Sequence, residues 1–299
     1  EDIMKFEYNR AINYSGYRNE QSPLQRLFPA KSEILEDLKI LENQYYYLRL
    51  FDCSEHAYTV LELIESNKLN FKVMLGLSLA AESNYENHPY YHIYTKKNLY
   101  DHKKKNRDKI QEIITLGNKY KHIVSSISIG NEVHSPWVNN FITEDRLVEV
   151  SKMIQVGTKL PVTFCEEYQY WVKGLDKLAN QLDFISLHTY PAWRNLPIEE
   201  AVQEAIYNYQ EVKSKHPDKT LVITETGWPT KSHGAKIKVK DANVENQKFY
   251  TAAIQKWAMD NEVLVYLFEA FDEPWKGGKH PNEPEKNWGL YYVDRTKKW

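Results

Sequence analysis

Val124-Ser-Ser-Ile-Ser-Ile-Gly130-Asn131-Glu132 and Leu221-Val-Ile-Thr-Glu225-Thr-Gly-Trp-Pro229 are short apolar runs that each lead into a glutamate. Both have the length and β-branched character of strands covered on both faces. Working outward from Val124–Asn131 and Thr220–Thr224, six more runs of this kind follow: Arg10–Tyr14, Tyr46–Cys53, Phe71–Leu77, Pro161–Cys165, Phe184–His188 and Val263–Glu269. Helical patterns separate them at Ser32–Gln44, Glu55–Ser66, Asn106–Tyr120, Glu144–Lys159, near Lys173–Asn180, Ile198–Lys215 and Asn246–Asp260. Thr143 before Glu144 and Ser54 before Glu55 are suitable helix caps. Eight β units alternating with helices, and no linker rich in Gly, Pro or Ser, predict an α/β fold. Residues 1–299 are expected to form a single (β/α)8 TIM barrel. An open doubly wound sheet is disfavoured, because no glycine-rich phosphate loop follows the first strand.

Charge is balanced, with 39 Lys+Arg against 41 Asp+Glu, and gives no basis for a nucleic-acid surface. No apolar run approaches the roughly 18–20 residues of a membrane span. The chain starts Glu1-Asp2 without Met, consistent with a removed signal peptide and a periplasmic, cell-surface or secreted protein, expected to be monomeric. Cys53 and Cys165 are too few for a disulfide framework and are expected to be free thiols.

Two inserts would hang at the C-terminal mouth of the barrel, where such folds keep their chemistry. Ala81–Lys105 carries Tyr85, Tyr90, Tyr91, His92, Tyr94 and the Lys103–Lys105 run, read as a solvated face. Trp275–Glu285 follows strand eight and holds Gly277-Gly278 and three prolines. Trp137, Trp171, Trp193, Trp228 and Trp275 fall just past strand ends, and two or three of them are expected to stack on sugar faces. Trp257 is expected in the core, and His188 reads better as a satisfied core histidine than as a partner of the site.

Glu132 and Glu225 carry the sharpest chemical reading. Each closes a buried run, so both point into one barrel mouth, the arrangement two-carboxylate glycoside hydrolysis requires. Asn131 sets a neutral hydrogen-bonding amide beside the first acid, suited to a sugar 2-hydroxyl. Arg49 and Lys276 are candidates for keeping Glu225 ionised, and the like charge of Glu225 is expected to keep Glu132 protonated. No His, Cys or Asp cluster has metal-ligand spacing, and the chemistry needs neither metal nor cofactor.

The stretch Val222-Ile-Thr-Glu-Thr-Gly-Trp-Pro-Thr230 resembles the nucleophile signature of glycoside hydrolase family 17, the β-1,3-glucanases. Gly130-Asn131-Glu132 resembles the acid/base site of the wider clan of retaining barrel hydrolases. Phe268-Glu-Ala-Phe-Asp-Glu-Pro-Trp-Lys276 and Asn287-Trp-Gly-Leu290 match near the end, and Tyr14-Ser-Gly-Tyr-Arg-Asn-Glu-Gln-Ser-Pro23 is similar to the first strand of bacterial members. The resemblance runs from about residue 10 to about 294. It implies Glu132 as acid/base and Glu225 as nucleophile, with Tyr190 hydrogen-bonded to the nucleophile. Glu273, Lys276 and Glu285 would form a charged cluster beside them, and Tyr14 would join the substrate contacts. Asp272 stands where plant members have Asn, and the Ala81–Lys105 insert is longer than theirs. The implied activity is retaining hydrolysis of β-1,3-glucan polysaccharide or oligosaccharide. The alternatives are a transglycosylase using the same pair and a non-catalytic carbohydrate-binding barrel, which both intact acids argue against.

Overall fold

In the computed structural model, which describes residues 3–85 and 93–299, eight parallel strands close into a barrel in sequence order, β1 pairing with both β2 and β8. The strands are β1 (Ala11–Asn13), β2 (Tyr47–Arg49), β3 (Lys72–Gly76), β4 (Val124–Asn131), β5 (Val162–Glu167), β6 (Ile185–His188), β7 (Leu221–Thr226) and β8 (Val265–Leu267). The outer helices are α1 (Lys31–Leu41), α2 (Glu55–Ser66), α3 (Lys96–Lys119), α4 (Glu144–Thr158), α5 (Tyr168–Lys173), α6 (Asp176–Gln181), α7 (Ile198–Lys215) and α8 (Val244–Asn261). Ile12, Leu48, Val73, Ile127, Val162 and Ile185 are fully buried, as parallel strands covered on both faces require. At the N-terminal ends of the strands, Phe6 packs edge-on to Phe184 with ring centroids 4.9 Å apart and helps cover the barrel floor.

Two boundaries and one helix cap differ from the sequence reading for identifiable reasons. Helix α3 begins ten residues early, at Lys96, because the Thr95 hydroxyl accepts from the Asn98 amide and the Asn98 side-chain carbonyl accepts from the Thr95 amide. The lysine run Lys103–Lys105 therefore lies on a helix, where it is exposed as expected. Tyr90, Tyr91 and His92 lie outside the described residues. Strand β5 runs on two residues past Cys165, carrying Glu166 and Glu167 into the mouth. Ser54 precedes α2 as expected but does not cap it; its hydroxyl donates to Asp52 at 2.7 Å. Thr143 does cap α4, accepting from the Arg146 amide. Cys53 and Cys165 are both free.

Two of the five tryptophans expected at the mouth belong to the core. Trp171 is fully buried, and its indole N–H donates to the Ser186 carbonyl at 2.9 Å. Trp228 is 1% exposed, donates to the Asp241 carbonyl and packs on Tyr250, 5.6 Å between centroids. Gly227 before it is obligatory for packing: a Cβ there would lie 2.1 Å from the Phe268 carbonyl oxygen of the adjoining strand. The Gly-Trp of the Glu-Thr-Gly-Trp-Pro signature thus fixes how β7 leaves the barrel. Trp171→Ala and Trp228→Ala should each cost about 3–5 kcal/mol in urea unfolding. Each folded variant should keep oligosaccharide affinity within about threefold by calorimetry, whereas a direct sugar contact would lower it far more.

Candidate active site

The two acids reach the same mouth from β4 and β7, three strands apart around the barrel. Strand β4 shifts register against β5 between Ser128 and Asn131, and Glu132 then turns to φ 57°. Such an irregularity at a strand end re-aims a side chain, and a non-glycine residue in the left-handed region stores local strain. Glu225 sits in β7 opposite His188 of β6, again at a register shift. A carboxyl oxygen of Glu132 lies within 4.8 Å of one on Glu225.

Two cations offset the repulsion. Arg49 is 1% exposed; it donates to Glu225 at 2.5 Å, to Asn13 at 2.9 Å and to Asn131 at 2.6 Å, joining β1, β2, β4 and β7 through one guanidinium. His188 stands between the acids, with Nδ1 3.0 Å from Glu132 and Nε2 3.5 Å from Glu225. The Tyr190 hydroxyl donates to the other Glu225 oxygen at 2.5 Å. Burial alone would raise the Glu225 carboxyl, but His188 and Arg49, with the Tyr190 hydroxyl, hold it below its ordinary value. Burial would likewise lower His188, yet Glu225, Cys165 and Glu132 raise it well above the ordinary imidazole value. Beneath them the Cys165 thiol, raised by burial but drawn down by Arg49 and His188, is lowered to about 7. The trio Glu132, His188 and Glu225 has metal-ligand spacing by distance, but Arg49 already supplies a cation to Glu225 at hydrogen-bond distance.

Two recesses meet at Glu225 and Phe268. The larger, about 500 Å³, is lined by Glu132, Trp137, Glu167, Tyr190, Trp193, Glu285 and Trp288 among others. The smaller, about 280 Å³, is lined by Tyr14, Tyr17, Asn131, Trp275 and Lys276 among others. Trp137, Trp193 and Trp275 are therefore the three expected tryptophans that reach the cleft. Trp137 stands 46% exposed, free to receive a sugar face. Tyr14 borders the smaller recess, but its hydroxyl is committed to Asp37 at 2.9 Å rather than to a ligand.

The charged cluster is reorganised relative to expectation. Lys276 does not hold Glu225; its ammonium lies 3.0 Å from Glu269 and 2.6 Å from Glu273. Glu273 is fully buried and accepts from the Tyr17 amide and the Trp275 indole, so it positions those groups instead of lining either recess. Glu285 does line the larger recess, and burial raises its carboxyl. Asp272 pairs with Lys298 at 2.8 Å and accepts from the Gly289 amide, a structural tie between the β8 loop and the C-terminal segment.

The sequence reading missed three residues here. His188 was read as core, yet it bridges both acids. Glu167 was left beyond the strand, although two carboxylates directly after an apolar run were the same signal used for Glu132 and Glu225. Trp288, within the quoted Asn287-Trp-Gly-Leu290, packs at 5.2 Å from Tyr190 and 5.7 Å from Trp193. His188→Ala should lower kcat ~100-fold through misplacement of the acids. Without the imidazolium, burial is less well offset and Glu225 titrates higher, so the acidic limb of kcat/KM should move to higher pH. An unmoved limb in the pH–rate profile would contradict this role.

The family model for the BtgE/BtgC glycoside hydrolase domain matches residues 11–289. A glucan 1,3-beta-glucosidase of Arthroderma benhamiae is 27% identical over 197 residues, covering 59% of this chain and 61% of the relative. The chain thus spans about three-fifths of the length of that curated relative. Among solved structures, a Formosa endo-laminarinase superposes with a TM-score of 0.80 at 24% identity, over 95% of this chain and 83% of that one. A Rhizomucor miehei beta-1,3-glucanosyltransferase of glycoside hydrolase family 17 superposes at 0.74 with 21% identity, over 96% and 94%. With Glu132 and Glu225 facing each other across a closed eight-stranded barrel and the family model matching residues 11–289 of its 299, this chain belongs to the BtgE/BtgC glycoside hydrolase family.

Proposed function

We propose that this chain hydrolyses laminarin-type β-1,3-glucan with retention of anomeric configuration. One observation carries the reading: the carboxyl oxygens of Glu132 and Glu225 approach within 4.8 Å. Retaining enzymes hold the two carboxyls about 5–5.5 Å apart, whereas inverting enzymes leave about 6.5–9.5 Å for a water. The substrate class is supported by the 1,3-glucan activities named for the relatives and by aromatic walls that suit apolar sugar faces.

The steps follow from the charges. Glu225, kept anionic by Arg49, His188 and Tyr190, attacks the anomeric carbon. Glu132 gives its proton to the leaving oxygen, and the C1–O bond breaks. A water then bonds to C1 of the glycosyl-enzyme while Glu132 takes its proton, and the C1–O bond to Glu225 breaks with the pair returning to the carboxylate. Asn131, whose carbonyl is held by Arg49, keeps its amide N–H groups for the sugar 2-hydroxyl. Glu132, Glu167, Glu225 and Glu285 make the larger recess acidic, and Lys236 is its one lining cation among the described residues. That balance favours neutral glucosyl units over uronic acids. Such a polymer cannot cross a membrane, so we place the enzyme outside the cytoplasm: periplasmic, at the cell surface or secreted.

Proton NMR of a laminarin digest should show the β-anomer of each new reducing end first, with the α-anomer appearing only by mutarotation. Initial α-anomer would contradict retention. Glu225→Ala should abolish release of reducing sugar while oligosaccharide binding persists in calorimetry; continued hydrolysis would refute the assignment.

A further inference from the structure

Glu167 and Glu285 are the two carboxyls in the larger recess whose side chains make no hydrogen bond or ion pair among the described residues, and Glu167 is the one on the strand beside Glu132. Of the four carboxyls lining it, Glu225 has Arg49 and Tyr190, and Glu132 has His188. Glu166, next in line, accepts from the Ser135 hydroxyl at 2.5 Å and from the His134 and Glu167 amides. The Glu167 side chain makes no hydrogen bond or ion pair among the described residues. It precedes α5, yet caps nothing there. Burial first, and the Glu132 charge second, push its carboxyl well above the usual carboxylate range. A half-buried carboxyl without a partner costs stability, so its retention in a cleft wall points to a partner that arrives from solution.

The fold places that partner on one side of the scissile bond. Glu132 donates to the leaving oxygen, so the leaving sugar lies on its side. Glu167 ends the strand beside β4, where the Glu132 amide bonds the Cys165 carbonyl at 2.9 Å, and its Cα is in register with His188. Trp137, on the loop following Glu132, shares the recess. The smaller recess touches Glu225 and Asn131 but not Glu132 or Glu167, so it takes the glycosyl side.

We propose that Glu167 is the hydrogen-bond donor of the first sugar site on the leaving-group side, where it holds both the departing oligosaccharide and an incoming sugar that competes with water. This rests on the β-1,3-glucan reading above. In the glycosyl-enzyme, C1 is esterified to Glu225. A hydroxyl of the sugar held by Glu167 attacks C1, the C1–O bond to Glu225 breaks with the electron pair returning to the carboxylate, and the hydroxyl proton passes to Glu132. Water follows the same course when that site is empty, so its occupancy divides transfer from hydrolysis.

The test compares laminaripentaose, which fills the leaving-group site with sugar, with 4-nitrophenyl β-laminaribioside, which does not. Glu167→Ala should lose about tenfold more kcat/KM on the pentaose than on the aryl glycoside, through KM, as expected for one lost hydrogen bond in a cleft. Products longer than the pentaose should decline with it. Glu167→Gln keeps a donor and should recover most of both. Equal losses on the two substrates, or undiminished transfer products in Glu167→Ala, would overturn the proposal. Should Glu167→Ala not fold, the pH dependence of KM for the pentaose serves instead. It should rise in the wild type as Glu167 ionises and stay flat in Glu167→Gln; parallel profiles would overturn the proposal. A wild type that leaves laminaripentaose intact would sink the glucan reading and this inference together.

Discussion

Two carboxyls held within 4.8 Å of each other repel when both are ionised, and the barrel mouth is organised around the positive charge built in beside them. Arg49 is the principal answer. Its guanidinium is nearly inaccessible, and its hydrogen bonds to Asn13, Asn131 and Glu225 draw together residues from β1, β4 and β7. A planar fork with several donors can do this, whereas a lysine ammonium could not span the same three acceptors. His188 completes the charge balance between the acids, and Tyr190 fixes the remaining Glu225 oxygen. Removing one partner from such a buried network strands the others, which makes the site rigid and intolerant of piecemeal change.

The closed barrel supplies the geometry this network needs. Eight strands that all point their C-terminal ends at one mouth place side chains from non-adjacent segments within hydrogen-bond reach. The register shifts in β4 and β7 then turn Glu132 and Glu225 inward at the rim. The second charged group, Glu269, Glu273 and Lys276, is separate. Burial and the neighbouring Glu273 raise Glu269 well above its ordinary value, while Lys276 holds Glu273 below it. Its work is to anchor the β8 loop and the Trp275 indole at the edge of the smaller recess.

Much of this was legible in the sequence because strand ends in a parallel barrel are chemically unambiguous. An apolar run that stops at a glutamate has few structural explanations, and Glu132 and Glu225 were found that way. Arg49, a charged residue inside a buried run, announced an internal partner by the same logic. The same rule applied to Glu166 and Glu167 would have found them, but strand five was ended at Cys165, where the apolar pattern ceases. Helix α3 was begun late because its first turns are lysine-rich and show no apolar stripe; the Thr95 cap was the available signal. Tryptophan was the poorest guide. Trp137 and Trp171 both follow strand ends, yet one is exposed and the other fully buried, and only the packing of the helices over each loop separates them.

Direct labelling tests the central claim, that these two facing acids trap a sugar covalently on Glu225. Incubation with 2-deoxy-2-fluoro-β-laminaribiosyl fluoride should inactivate the enzyme with one glycosyl mass added per chain, located by peptide mass spectrometry on Glu225. A label found on Glu132 or Glu167, or hydrolysis of laminarin without any covalent adduct, would contradict the account.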